Sequence, residues 1–311
     1  MPALACLSLR VCSLSESASF YEQALGMQVL RRSSSSLLLG WPHAAAAASI
    51  ALYEAPSGTE GGWCEPDTRR DAFVWIGLSN LPNVPRTLER LAEHPSTSPK
   101  MQGELTGDTG AVGVVGHFRD PNGYALEALQ STLSLKESAA TPTAAHVGLL
   151  CAERPAFGQL KVNTKDPQRT LDFYVNGLGM RLVSQISMSK FGLKLFFLAF
   201  TDETVPGDMD SPETRKWLWQ SQFTQLELQH WDQFEPDVPL RIPPVDGQLG
   251  FIGYDIECED VLAMTKRLQN LCGARVQSPQ KSNSLLEHGT PWKCASVVID
   301  PDGRAVRLVQ K

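Results

Sequence analysis

The chain contains 311 residues, with 28 Lys and Arg against 34 Asp and Glu, a formal net charge of -6 at pH 7, and seven cysteines. The acidic balance without basic, aromatic-interleaved runs argues against a nucleic-acid partner, and apolar stretches well below roughly 20 residues argue against membrane insertion. No secretory leader is recognisable, and an odd cysteine count without a Cys-x-x-Cys pair favours a reducing compartment. We therefore expect a cytoplasmic protein, with a mitochondrial location left open, and the length favours two domains.

The first half of the chain predicts the same series of elements twice, namely a strand, a helix and further strands. The elements of the first series are a strand over Leu7–Val11, a helix ending at Gly26, and strands over Met27–Arg31 and Ile50–Tyr53. Those of the second are a strand over Phe73–Leu78, a helix over Val84–Ala92 and a hairpin turn at Asp120-Pro-Asn-Gly123. Each series is interpreted as one βαβββ unit.

The second half predicts two more units of this kind. In the third unit the elements are a strand over Leu160–Thr164, a helix ending at Gly179, and strands over Met180–Gln185, Lys194–Ala199 and Thr224–His230. In the fourth they are a strand over Ile252–Glu257, a helix over Val261–Leu271 and a turn at Asp300-Pro-Asp-Gly303. Four units in all predict an α+β fold.

Two sequence motifs show that the halves are copies of each other. Phe20-Tyr21 and Leu25-Gly26-Met27 recur 153 positions later, whereas the Asp-Pro-x-Gly turn recurs after 180 positions. The second copy is therefore longer between these motifs, and we expect its insertion to lie within residues 201–222. The predicted organisation is a degenerate first domain at 1–133, a linker at 134–156 and a second domain at 157–311. Trp217 and Trp219 are expected to pack the insertion onto the sheet.

The second half resembles glyoxalase I of the vicinal-oxygen-chelate superfamily, and the first half resembles it more weakly. The motifs that carry the resemblance are Gln159-x6-Asp166-Pro, Leu171-Asp-Phe-Tyr174, Leu178-Gly-Met180, Phe196-Phe-Leu-Ala199, Leu226-Glu-Leu228 with His230, and Asp300-Pro-Asp-Gly303. In that family a divalent metal lies on the inner face of a cupped sheet, held by ligands from two facing units. The resemblance implies that the four units form two domains with cupped mixed sheets and that the third unit faces the second.

The family's ligand positions map onto this chain residue by residue. They fall on Gln159 and Glu227 in the third unit and on Glu127 in the second, whose histidine position lies near Phe73. In the other pair of units they fall on Cys6, Ala51, Gly253 and Arg307, a set that implies no metal there. His117 shows no metal-ligand spacing and receives no role.

The resemblance implies a metal-dependent lyase that acts on the glutathione hemithioacetal of methylglyoxal, with Glu127 and Glu227 as catalytic residues. The cofactor would be one divalent metal (Zn, Ni, Co, Mn or Mg) or none, and Arg69, Lys100 and Met101 would contact a glutathione-derived small molecule. Assembly with other proteins is left open. The alternative is a catalytically inactive, glyoxalase-like subunit of a larger complex, and for each glutamate the simpler interpretation is an outward strand residue.

Overall fold

The computed structural model describes residues 2–44, 46–56, 70–139, 146–235, 237–242, 249–277 and 294–310. The strands are Ala3–Val11 (β1), Gln28–Arg32 (β2), Ser36–Gly40 (β3), Ser49–Glu54 (β4), Phe73–Leu81 (β5), Lys100–Gly107 (β6), Gly110–Arg119 (β7), Ala125–Gln130 (β8), Ala156–Asn163 (β9), Arg181–Met188 (β10), Leu193–Ala199 (β11), Gln225–Trp231 (β12), Gly250–Glu257 (β13), Arg275–Gln277 (β14), Cys294–Ile299 (β15) and Ala305–Gln310 (β16). The helices are Leu14–Gln23 (α1), Val84–Leu91 (α2), Leu135–Ala139 (α3), Pro167–Leu171 (α4), Pro212–Gln220 (α5) and Val261–Cys272 (α6).

The four βαβββ units are present as predicted, and they combine into two eight-stranded sheets. The first sheet has the order β14-β15-β16-β13-β1-β4-β3-β2 and joins the fourth unit to the first; the second has the order β10-β11-β12-β9-β5-β8-β7-β6 and joins the third to the second. In every unit the first strand pairs in parallel with the last, and β1–β13 and β5–β9 pair antiparallel at the sheet centres. The third unit therefore faces the second, as the resemblance implies.

Each unit places its helix after the first strand because a short polar side chain caps the helix start. Ser13, Asn83, Asp166 and Asp260 each accept a hydrogen bond from the backbone N–H three residues on. Such caps satisfy one of the otherwise unpaired amides of the first turn. In the third unit the helix continues beyond α4 as a π-helical turn over Asp172–Gly177, a distortion that the hydrophobic periodicity did not predict.

The two motifs that reveal the duplication contact each other in the buried core. The Tyr21 hydroxyl donates to the carboxylate of Asp120 (3.3 Å), and the Tyr174 hydroxyl donates to Asp300 (2.7 Å). Tyr21 and Asp300 belong to units of the first sheet, whereas Asp120 and Tyr174 belong to units of the second. The same tyrosine–aspartate bond therefore joins the two sheets at two places, which gives a physical reason for the recurrence of both motifs.

The insertion forms α5, which closes one end of the second sheet's inner face. The Trp219 indole N–H donates to the Val112 carbonyl (2.7 Å), and its ring lies edge-on to Phe197 at 5.5 Å. The edge strands β6 and β10 meet where the Asp108 N–H donates to the Ser187 carbonyl (2.8 Å), so this sheet curls into a cup. No helix of the described residues is long and apolar enough to cross a membrane.

Candidate active site in the cup of the second and third units

Five polar side chains meet on the inner face of the second sheet because strand register brings them together. Across β12, β9, β5, β8 and β7, one row of paired residues reads Gln225, Gln159, Gly77, Glu127 and His117. The neighbouring row contains Glu227, Lys161 and Trp75. Since successive side chains alternate between faces, residues two apart on one strand share the inner face. We call Gln159, Lys161, Glu227, Glu127 and His117 the site cluster.

Lys161 lies at the centre of the site cluster. Its ammonium nitrogen is 2.5 Å from one oxygen of Glu127 and 3.1 Å from one oxygen of Glu227. The exposed fractions of these three side chains are 8%, 9% and 2%, so the two ion pairs are almost completely withdrawn from water. Each carboxylate has a further partner, because His117 Nε2 lies 3.0 Å from Glu127 and the Gln229 amide donates to Glu227 at 2.7 Å.

The pKa values of the two glutamates are displaced in opposite directions. Burial by itself would raise the pKa of Glu127, but Lys161 and the hydrogen bond from His117 outweigh burial and lower this pKa to about 2. Burial raises the pKa of Glu227, and Lys161 offsets that rise only in part. Burial would lower the pKa of Lys161, yet the two glutamates raise it. The arrangement therefore favours an ammonium paired chiefly with an ionised Glu127.

Gln159 differs from the rest of the cluster in having an unsatisfied side chain. It is fully buried, and neither its amide oxygen nor its amide nitrogen has a hydrogen-bond partner among the described residues. Its oxygen lies over Gly77, where an added Cβ would be 3.0 Å away, so it is directed along the row towards Glu127. A buried polar group of this kind is costly unless something pairs with it.

The donor atoms of the site cluster decide whether it can hold a divalent metal. Gln159, Glu227 and Glu127 supply three oxygen donors on one face, as the resemblance implies. However, the position between the two carboxylates is taken by the Lys161 ammonium, which donates hydrogen bonds and cannot bind a metal while charged. No group of three or more His, Cys, Asp or Glu within the described residues is placed to hold a metal. The arrangement does not fit a divalent ion.

The other predicted site residues lie around this cluster or outside the described chain. The register places Trp75, two residues after Phe73, at the second unit's position equivalent to Gln159. The centroids of the Trp75 and His117 rings are 3.9 Å apart. Lys100 is the strand partner of His117 on β6, and both it and Met101 are exposed at the cup's margin. Arg69 lies outside the described residues. Substrate contact by these residues stays a prediction.

Sequence reasoning missed Lys161 and His117, although the sequence contained signals for both. Lys161 is two residues after Gln159 on the same strand, so it had to face the same side. His117 is brought to Glu127 by the hairpin around Asp120-Pro-Asn-Gly123, in which Arg119 pairs with Ala125 and therefore His117 pairs with Glu127. A histidine thus reaches the site from β7, and not from the first strand of its unit.

The cup formed by the first and fourth units contains a different polar pair. Cys6 and Ala51 belong to a small apolar cluster with Tyr53, and Gly253 contributes no side chain. The Arg307 guanidinium is 2.6 Å from Asp255 and donates to the Ser8 hydroxyl at 2.7 Å. Burial would lower the pKa of Arg307, but Asp255 raises it further above its ordinary value. A guanidinium and a carboxylate therefore compensate each other in this cup.

Comparison with known proteins supports the fold and the repeated units. A family model described as the Glyoxalase/Bleomycin resistance protein/Dioxygenase superfamily matches residues 3–128 and 156–281. The chain belongs to this glyoxalase superfamily. It is a tandem, glyoxalase I-like member, because each half matches the family once.

Individual relatives of this glyoxalase-family protein agree with that assignment. Over 156 residues the chain is 32% identical to a lactoylglutathione lyase of Pseudomonas aeruginosa, an alignment covering 50% of this chain and 81% of the bacterial protein. A second lactoylglutathione lyase, from Pseudomonas putida, is 30% identical over 159 residues and is covered to 84%. The crystal structure of glyoxalase I from Zea mays matches 100% of this chain and 92% of its own with a TM-score of 0.64 at 18% identity, which supports the fold alone.

Proposed function

We propose that this glyoxalase-family protein does not catalyse the metal-dependent isomerisation of a glutathione hemithioacetal, and that it serves as a non-catalytic binding or structural subunit. The observation that carries the proposal is the double ion pair of Lys161 with Glu127 and Glu227. In the lyase reaction a metal would polarise the substrate's two oxygens while a glutamate moves a proton. Here the lysine occupies the place between the carboxylates, and the candidate base is already paired.

Two further features support this proposal. Glu127, held by Lys161 and His117 with its pKa lowered to about 2, is a poor proton acceptor at neutral pH, since an efficient general base has a pKa near the working pH. In addition, Trp219 and α5 fill one end of the cup with apolar side chains, where Trp219 packs with Phe197 and Leu129 in a buried cluster. The first feature weakens the candidate base, and the second fills space in the cup that a substrate would need.

The second candidate is the metal-dependent lyase itself, acting on the glutathione hemithioacetal of methylglyoxal. The unpaired, buried amide of Gln159 favours it, because such a group is suited to a ligand that the described residues do not supply. The two lactoylglutathione lyases at 32% and 30% identity support the same reaction class. In this case the ammonium of Lys161 would have to leave the carboxylates before a metal could bind.

The experiment that separates the two candidates is a hemithioacetal isomerisation assay on purified full-length protein. The protein is stripped of metal and then titrated with Zn²⁺, Ni²⁺, Co²⁺ or Mn²⁺, beside an active bacterial lactoylglutathione lyase as the positive control. We expect no turnover above the uncatalysed rate with any of these metals. Metal-restored turnover that is abolished by Glu127→Gln and by Glu227→Gln would refute the proposal and establish the lyase.

A further inference from the structure

We infer that the ammonium of Lys161 is a built-in replacement for the divalent cation of a glyoxalase I site, and that loss of this lysine would open a latent metal site. The inference builds on the proposed function, because it names what took the metal's place. It concerns binding and makes no claim about turnover. Its candidate ligands are the three oxygen donors Gln159, Glu227 and Glu127, and its ligand class is a divalent transition metal.

The position of the nitrogen supports this inference. One cation lies within 3.1 Å of carboxylates from two different units, on β8 and β12, and on the inner face where the family's ligands converge. Two buried carboxylates without a cation would repel each other and would each lack compensation for lost hydration. The lysine supplies the positive charge that a metal would otherwise supply, and it is covalently part of the chain.

Gln159 provides an independent indication, because its side-chain oxygen could coordinate a cation but contacts none among the described residues. Its amide is fully buried, is unpaired within the described residues, and is directed over Gly77 towards Glu127. The lysine cannot accept a hydrogen bond from the Gln159 amide, and no ammonium contact to its oxygen is formed. An oxygen donor in this state is suited to coordinate a cation that sits slightly to one side of the present nitrogen.

The other cup also contains a side-chain cation paired with a carboxylate, but here the carboxylate lies on the first strand of the unit and the cation on its last strand. Arg307 lies four residues after the turn glycine, as Glu127 does, and Asp255 lies two residues after Gly253, as Lys161 lies two after Gln159. Arg307 pairs with Asp255 at 2.6 Å. Both cups thus contain one side-chain cation paired with a carboxylate at matching positions, so a protein-borne cation is a recurring solution in this chain.

The test is metal binding by the full-length protein after dialysis against a chelator. Wild type and Lys161→Ala are titrated with Zn²⁺, Ni²⁺ and Mn²⁺ by calorimetry, and bound metal is counted by elemental analysis. We expect Lys161→Ala to bind about one equivalent that wild type lacks, with a rise in unfolding temperature on adding metal. Adding Glu127→Gln and Glu227→Gln to Lys161→Ala should remove that equivalent. Lys194→Ala, which removes an exposed lysine from β11, is the matched control.

Two results would overturn the inference. One is a wild-type protein that binds a metal equivalent lost on Glu127→Gln or Glu227→Gln; the other is a folded Lys161→Ala protein that binds none. If Lys161→Ala does not fold, Lys161→Gln, which removes the charge but keeps a hydrogen-bond donor between the two intact carboxylates, takes its place, and the same two criteria apply to it. Turnover by wild type without metal would refute the proposed function while leaving this inference intact.

Discussion

Replacing Lys161 by methionine should destabilise the protein strongly at neutral pH. Methionine keeps the length and apolar stem of the side chain but removes the ammonium, which leaves two carboxylates with exposed fractions of 9% and 2% without a cationic partner between them. Removing one member of a buried ion pair costs about 3–5 kcal/mol. The direction agrees with the pKa of Glu127, which burial alone would raise but which Lys161, together with His117, lowers.

The pH dependence of this loss has a definite sign. A carboxylate whose pKa is lowered in the folded state contributes stability that is present above its unfolded pKa, near 4.5, and disappears as the pH falls through about 2. The difference between wild type and Lys161→Met should therefore be largest near pH 7 and should shrink below pH 4.5. Urea unfolding followed by circular dichroism at several pH values measures it.

Two controls make this prediction specific. Lys194→Met, at an exposed position on β11, should change the free energy of unfolding by less than about 0.5 kcal/mol. Glu127→Gln in the Lys161→Met background should recover part of the loss, because it removes one of the uncompensated charges. If Lys161→Met unfolds at the same urea concentration as wild type at pH 7, the lysine does not compensate the carboxylates and the account of the site is wrong.

Three further substitutions, one of them with a matched control, test the packing around the site and between the sheets. Trp219→Ala should lower the free energy of unfolding, measured by urea titration, by about 3–5 kcal/mol because it leaves a cavity in the core. The matched control is Trp217→Ala at a partly exposed position, which should lower the free energy of unfolding by clearly less. Gly77→Ala should cost about 1–3 kcal/mol, because its Cβ would lie 2.8 Å from the Gln159 Cβ; an unchanged urea midpoint would contradict the close approach. Tyr21→Phe should cost about 1–3 kcal/mol by leaving Asp120 with one fewer donor, and an equal or greater stability would show that this bond does not join the sheets.

Most of the fold could be predicted from the sequence because its units rely on local signals. The caps at Ser13, Asn83 and Asp260 and the alternating strands fix each βαβββ unit within a short stretch of chain. The partnership of units is a long-range choice that periodicity does not encode, and it came from the family resemblance. The short strand β3, at Ser36–Gly40, was missed because its run of leucines lacks the alternation typical of a half-exposed strand.

The sequence pointed to the two carboxylates of the candidate site, Glu127 and Glu227, but not to its cation, Lys161. Glu127 and Glu227 follow from motifs that the family shares, whereas Lys161 departs from any motif and becomes meaningful only when β9 is paired with β5 and β12. A lone lysine in a strand is more often a solvated residue, so the sequence alone favoured the wrong environment. Register, which decides the neighbours across strands, was the missing information.

The charges in the two cups explain why only one of them remains a candidate for binding. In the first–fourth cup, Arg307 pairs with Asp255, and the ligand positions hold Cys6 and Ala51, which supply no carboxylate. In the second–third cup one ammonium meets two carboxylates, and burial raises the pKa of Glu227 despite its contact with Lys161. Among the described residues, two glutamates share the ammonium of Lys161 and Gln159 has no hydrogen-bond partner, so a further positive charge or hydrogen-bond donor could pair with these groups. We therefore expect a ligand with a cationic group to bind in the second–third cup, beside Glu227, rather than in the cup where Arg307 lies.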